Sequence, residues 1–181
     1  RILEFSKSKA EGHQNSDISW HAIRIAIDYS FSDTFADRNP SMKVKYQMAR
    51  KLIDSAKKHF ESIATVYSRH VFSFAGGSCF NSALPAFEKN ADLVIVVATE
   101  NDPDTEYVVA STTCYLSDVD ERPALGALLV NFPFLEFGDL QEHLYFSHFA
   151  HEFTHLLGFS KTLFSKYVVP GSLIKRTDVE G

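Results

Sequence analysis

An α/β domain built around a mixed, twisted five-stranded sheet is the fold that this 181-residue chain predicts, on three observations. Asp92–Ala98 reads D-L-V-I-V-V-A, a continuous β-branched run expected of a strand buried on both faces. Met42–Glu61 places Val44, Met48, Leu52, Ile53 and Ala56 at helical spacing, with Lys and Arg on the other side. The patterns then succeed one another as strand, helix, four strands and helix, in a chain long enough for one core and short for two.

The elements follow in order. The first dozen residues, rich in Lys, Ser and Glu, read as an exposed lead-in. His21–Asp28, with Ile23 and Ile25 alternating against Arg24, is the first strand. Ser30–Ser41, closing on Asn39-Pro40, reads as a polar loop, and Met42–Glu61 as a helix that backs the sheet. Ala64–Val71 is the second strand, and Gly76-Gly77 opens an irregular loop holding Cys79. After the Asp92–Ala98 strand come a turn at Asn101–Asp104, a strand at Val108–Leu116, a charged turn at Asp118–Pro123 and a fifth strand at Leu125–Asn131. Arg122 to Gly126 shapes the entry to that fifth strand, which is expected at the sheet edge, where an extended peptide could pair with it. Leu140–Gly158 is helical in pattern, with Leu140, Leu144, Phe149, Phe153 and Leu156 along one flank.

Composition excludes several classes. The chain is 45% hydrophobic and 23% charged, as ordinary globular proteins are. Its net charge is −5 and its basic residues are scattered, so nothing favours a nucleic-acid partner or an anionic membrane surface. The densest basic pair, Lys57-Lys58, falls on a helix as a solvated face. No apolar run is long enough to span a bilayer. Cys79 and Cys114 are in no C-x-x-C spacing, which excludes a zinc knuckle; two buried thiols and one disulfide both fit the spacing.

The last helix carries His151-Glu152-Phe153-Thr154-His155, an H-E-x-x-H motif. Four residues advance about 400° around a helix, so the two imidazoles lie about 40° apart on one face and roughly 6 Å apart along the axis. Both can therefore bind one tetrahedral Zn²⁺ from the same side. Glu152 can reach a water at such an ion and act as general base for attack on a peptide carbonyl. Gly158, three residues after His155, suits a sharp exit from the helix. His148 is one turn earlier on nearly the same face, where packing near the helix and a supporting role beside the ligands are both open. His13, His21, His59, His70 and His143 have no partner spacing.

The stretch His151–Ser160, H-E-F-T-H-L-L-G-F-S, resembles the active-site segment of the leishmanolysin family. So do Ile23–Ala26, Asp92–Ala98, Ser111-Thr112-Thr113-Cys114 and Arg122–Gly126 ending in Asn131, so the resemblance covers nearly the whole chain. It implies a zincin fold of metzincin type and a zinc-dependent endopeptidase, with His151 and His155 as ligands and Glu152 as catalytic base. It implies a Cys79–Cys114 disulfide, a secreted or surface location, and a protein or peptide substrate. The sequence departs from many metzincins at Lys161, where they place a third histidine, and no histidine follows His155. The leishmanolysin pattern carries a long insertion there. Residues 1–158 would then be the N-terminal catalytic subdomain and 159–181 the start of the insertion. The third ligand would lie further along, or on a C-terminal part present as a separate chain, and any membrane anchor would lie outside this chain. A zincin with a glutamate third ligand, for which Glu180 has near the right spacing, is the alternative, as is an inactive relative kept as an interaction module.

Overall fold

The computed structural model describes residues 18–69, 71–80, 82–100, 107–117, 121–136 and 139–164. In chain order the elements are β1 (Ile18–Ala22), β2 (Ile25–Asp28), α1 (Ser30–Arg38), α2 (Lys43–Ile63) and β3 (Thr65–Arg69). Four three-residue strands follow: β4 (Phe72–Phe74), β5 (Gly77–Cys79), β6 (Ser82–Leu84) and β7 (Phe87–Lys89). Then come β8 (Leu93–Glu100), β9 (Val109–Leu116), β10 (Pro123–Asn131) and α3 (Asp139–Leu156). Among these helices none is long and apolar enough to cross a membrane. His13, His70, the Asn101–Asp104 turn and most of 159–181, with Glu180, lie outside the described residues.

Among the described residues the main sheet has four strands, in the order β2-β8-β10-β9, rather than the five expected. β2, β8 and β10 are mutually parallel, and β9 runs antiparallel to β10. The single strand expected over His21–Asp28 is two strands: β1 pairs with β3 as a separate antiparallel ribbon, and only β2 joins the sheet. The division falls at Ile23-Arg24, and a buried charge causes it. Asp92 is 1% exposed, and its carboxylate accepts from the Arg24 backbone N–H at 2.8 Å and from Arg24 Nε at 3.0 Å. His21 Nε2 stands 3.1 Å from it and Arg122 Nη2 3.8 Å, while Arg122 Nη1 donates to the Asp92 carbonyl at 2.6 Å. The chain must turn at Arg24 to deliver these donors. Arg122, expected only to shape a turn, is therefore a buried cation, and His21 has a partner that spacing alone could not reveal.

The expected loop at Ser30–Ser41 is helix α1 followed by a 3₁₀ turn at Pro40–Met42. Its Ser, Asp and Asn content favours turns locally, and tertiary packing decides for helix: Phe35 stacks on Phe132 at 5.5 Å and Ala36 is buried. Tyr29, just before it, donates to Asp54 of α2 at 2.8 Å, and Arg50 lies 4.2 Å over its ring. Burial, and then that carboxylate, push the Tyr29 phenol far above its ordinary range. Helix α2 buries Tyr46, Ala49, Leu52, Ile53, Ala56 and Phe60, whereas Val44 is 60% exposed.

Side-chain alternation along β8 divides the core. Leu93, Ile95 and Val97 face the three helices; Val94 and Val96 face a second cluster with Phe74, Cys79 and Leu84. The region expected as an irregular loop around Gly76 is thus a layer of two small antiparallel pairs, β4 with β7 and β5 with β6, covering the face opposite the helices.

β10 lies between β8 and β9, so Leu125–Asn131 is not the sheet edge. Its run L-G-A-L-L-V offers no polar face to water, while β9 carries Ser111, Thr112 and Thr113 and can tolerate one open side. α3 packs across β9 and β10 through Phe149, Phe153 and Leu156, all 1% exposed or less; each contributes about 1.5–3 kcal/mol by burial. Of the flank expected there, Leu144 is instead 53% exposed, and Tyr145 takes the inward position.

α3 sits tight against the sheet at Gly126, where a Cβ would meet Leu156 Cδ2 at 2.4 Å and the Thr112 carbonyl oxygen at 3.0 Å. Gly126→Ala should therefore destabilise the chain by about 1–3 kcal/mol through overpacking. In thermal unfolding that appears as a Tm lowered by roughly 2–10 °C, with a smaller loss when Leu156 is also shortened to Val.

Candidate metal centre

α3 brings the H-E-x-x-H side chains together at its C-terminal end. His151 and His155 project from one face, their ring centroids 4.5 Å apart and their Nε2 atoms 3.0 Å apart. Two zinc–nitrogen bonds of about 2.0–2.1 Å at a tetrahedral angle hold their nitrogens roughly 3.3 Å apart, so the pair needs only a slight opening to share one ion. With a carboxylate oxygen of Glu152, their ligand atoms fall within 4.8 Å of one another, the one such cluster among the described residues. The helix C-terminus adds partial negative charge, which favours a cation there.

The backbone beyond the helix fixes one imidazole. Gly158 has φ +109°, a conformation that side chains resist, and the exit is a Schellman turn: Gly158 N–H donates to the His155 carbonyl and Phe159 N–H to that of Thr154, both at 3.0 Å. The turn swings the Phe159 carbonyl to 2.7 Å from His155 Nδ1. A carbonyl can only accept, so Nδ1 carries the proton and Nε2 presents its lone pair toward His151.

Glu152 is half-buried between α3 and β9. Ser111 Oγ, on β9, donates to Glu152 Oε2 at 2.7 Å and lies 3.3 Å from the Glu152 carbonyl oxygen. Ser111 was not among the residues expected at the site. It is 41 positions away, and no sequence periodicity connects it to the motif. His148 is exposed, lies outside the cluster, and makes an edge contact with Tyr145 at 6.4 Å.

Cys79 and Cys114 form a disulfide with Cα atoms 5.4 Å apart, joining the small-strand layer to β9. Cys114 is the extra residue of a bulge: Gly126 pairs with Thr113 and Leu125 with Tyr115, leaving Cys114 opposite no partner.

Two convergent imidazoles with a half-buried carboxylate beside them, on a helix that ends in a Schellman turn, form a cluster that could hold a metal ion. The sequence pattern of the leishmanolysin peptidases, family M8, matches residues 70–177, more than half of the chain, and the chain belongs to that family. Its members are in general zinc-dependent metallopeptidases that act outside the cell or at its surface. No curated protein matches the chain closely enough to be set beside it as a relative.

Gly158→Ala forces a side chain into the φ +109° conformation and should cost about 1–3 kcal/mol. Because the Phe159 carbonyl orients His155, zinc retention under chelator competition should weaken as well, by roughly 10- to 100-fold.

Proposed function

We propose that this chain is the zinc-binding, catalytic half of a secreted or cell-surface endopeptidase of metzincin-like architecture. The observation that carries this reading is the pair of Nε2 atoms 3.0 Å apart with the Glu152 carboxylate beside them. A bound Zn²⁺ would supply a polarised water of lowered pKa and a Lewis acid for the scissile carbonyl.

The protein's own residues would act as follows. His151 Nε2 and His155 Nε2 would hold the ion, with a third ligand from outside the described residues. Glu152 keeps Oε2 on Ser111, so Oε1 is the atom that takes the proton of the attacking water and then delivers it to the leaving amine nitrogen. The substrate lies extended along the open edge of β9, which passes over α3 at Glu152 and can pair with a peptide backbone largely irrespective of sequence. The family membership and the disulfide, which needs an oxidising compartment to persist, support an extracellular setting.

Zinc content and casein cleavage, measured on the full-length protein and on Glu152→Ala, test the reading. Stoichiometric zinc is expected in both, with activity falling about 10²- to 10⁴-fold or more in the variant. A wild type that holds no zinc and cleaves nothing would identify the domain as an interaction module instead. Proline at positions of β9 whose N–H faces away from β10 should raise KM about 2- to 10-fold per lost hydrogen bond, with kcat little changed.

A further inference from the structure

We propose that Ser111 is a positioning residue for the general base: its hydroxyl fixes one oxygen of Glu152 and so aims the other at the reacting water. The inference rests on the peptidase reading above and deepens it.

Ser111 faces α3 for reasons of register. It pairs with Leu128, which belongs to the core on the helix side of the sheet, and paired residues share a face. Two positions further along β9, Thr113 pairs with Gly126, where the missing side chain lets α3 settle close to the strands. The hydroxyl thus arrives 2.7 Å from Glu152 Oε2. It has one proton to give, and the neighbouring Glu152 carbonyl oxygen, at 3.3 Å, is the more distant acceptor and uncharged. The proton therefore goes to the carboxylate, the stronger partner.

A glutamate held only by its own stem samples several rotamers, few of which point a lone pair at a water beside the two histidines. With Oε2 tied, the carboxylate plane is set and Oε1 is the free oxygen. Because Ser111 belongs to the strand proposed to hold the substrate, base and scissile carbonyl are positioned from the same segment of backbone. Such alignment acts on the chemical step and not on ground-state binding, so its loss belongs in kcat. A hydrogen bond that merely stapled β9 to α3 would act instead on stability and on metal retention.

The test compares Ser111→Ala, Ser111→Thr and Ser111→Val in the full-length, zinc-loaded protein. Four quantities are measured: kcat and KM on a fluorogenic peptide, zinc content, Tm, and direct binding of a peptide hydroxamate by calorimetry, a ligand whose hydroxyl proton Glu152 must accept. The expected result is a kcat lowered about 10- to 100-fold in the Ala and Val variants, with KM within about twofold and zinc and Tm close to wild type. Hydroxamate affinity should fall about tenfold in the same two variants. Ser111→Thr, which keeps the hydroxyl, should recover most of both losses. Thr and Val differ only in that group, so their comparison decides the matter even if Ala folds poorly. A kcat unchanged in Ser111→Val, or lost equally in Thr and Val together with zinc or Tm, overturns the inference. An inert, zinc-free wild type overturns the peptidase reading and this inference together; an active wild type matched by Ser111→Val overturns the inference alone.

Discussion

The distance between helix α3 and the sheet governs everything placed on the helix, and at Gly126 that distance is set by the absence of a side chain. Leu156 occupies the space that a Cβ would need, and Phe149 and Phe153 fill the interface on the same side of the sheet. A helix seated further out would carry Glu152 away from β9 and break the contact with Ser111. Two turns of apolar packing thus do what no contact among the polar groups could do: they bring a carboxylate on one element within hydrogen-bond range of a hydroxyl on another.

Two other devices hold the frame on which that packing rests. Asp92 gathers Arg24, His21 and Arg122 at the start of β8, where β2, β8 and the entry to β10 converge. A carboxylate this deeply buried is costly unless its donors are supplied, so the network specifies the strand order as much as it stabilises it. At the far side of the sheet the disulfide attaches the small-strand layer to β9 across a separation of 35 residues, worth about 4 kcal/mol in the chain-entropy account. β9 is therefore held on both faces, by the disulfide on one and by α3 on the other, while its outer edge carries no partner strand among the described residues.

Residues whose environment is settled by their near neighbours were legible in the sequence. The D-L-V-I-V-V-A strand, helix α2 and the H-E-x-x-H face all follow from period and run length, and all three stand within a few residues of where they were expected. What could not be read depended on partners far along the chain. Apolar alternation continues smoothly through Ile23 and Ile25, and the break between them is dictated by Asp92, 68 residues away from Arg24. α1 has the composition of a loop and becomes a helix because Phe132 offers Phe35 a ring to stack on. The central place of β10 did have a signal, since its uninterrupted apolar run is the same kind of evidence that identified β8 as buried. Ser111 lay in a segment that resembles the family, but nothing there pointed to Glu152: a serine in a row of hydroxyl residues looks like solvent-facing strand until the helix is in place.

The bulge at Cys114 bears on how this domain behaves at high concentration. A long, flat strand with one open side templates any other strand it meets, including the same strand of a second copy, and an edge proposed to bind peptide cannot be closed without losing that use. In β9 the regular ladder is interrupted by the extra residue at Cys114, which bends and twists the strand, and the disulfide holds that irregularity in place. Only the part before the bulge, around Ala110 to Thr113, presents a regular row of backbone groups. The regular row is thus short, and the irregularity that limits the length of peptide the proposed edge could pair with also limits the length over which a second copy could pair with it.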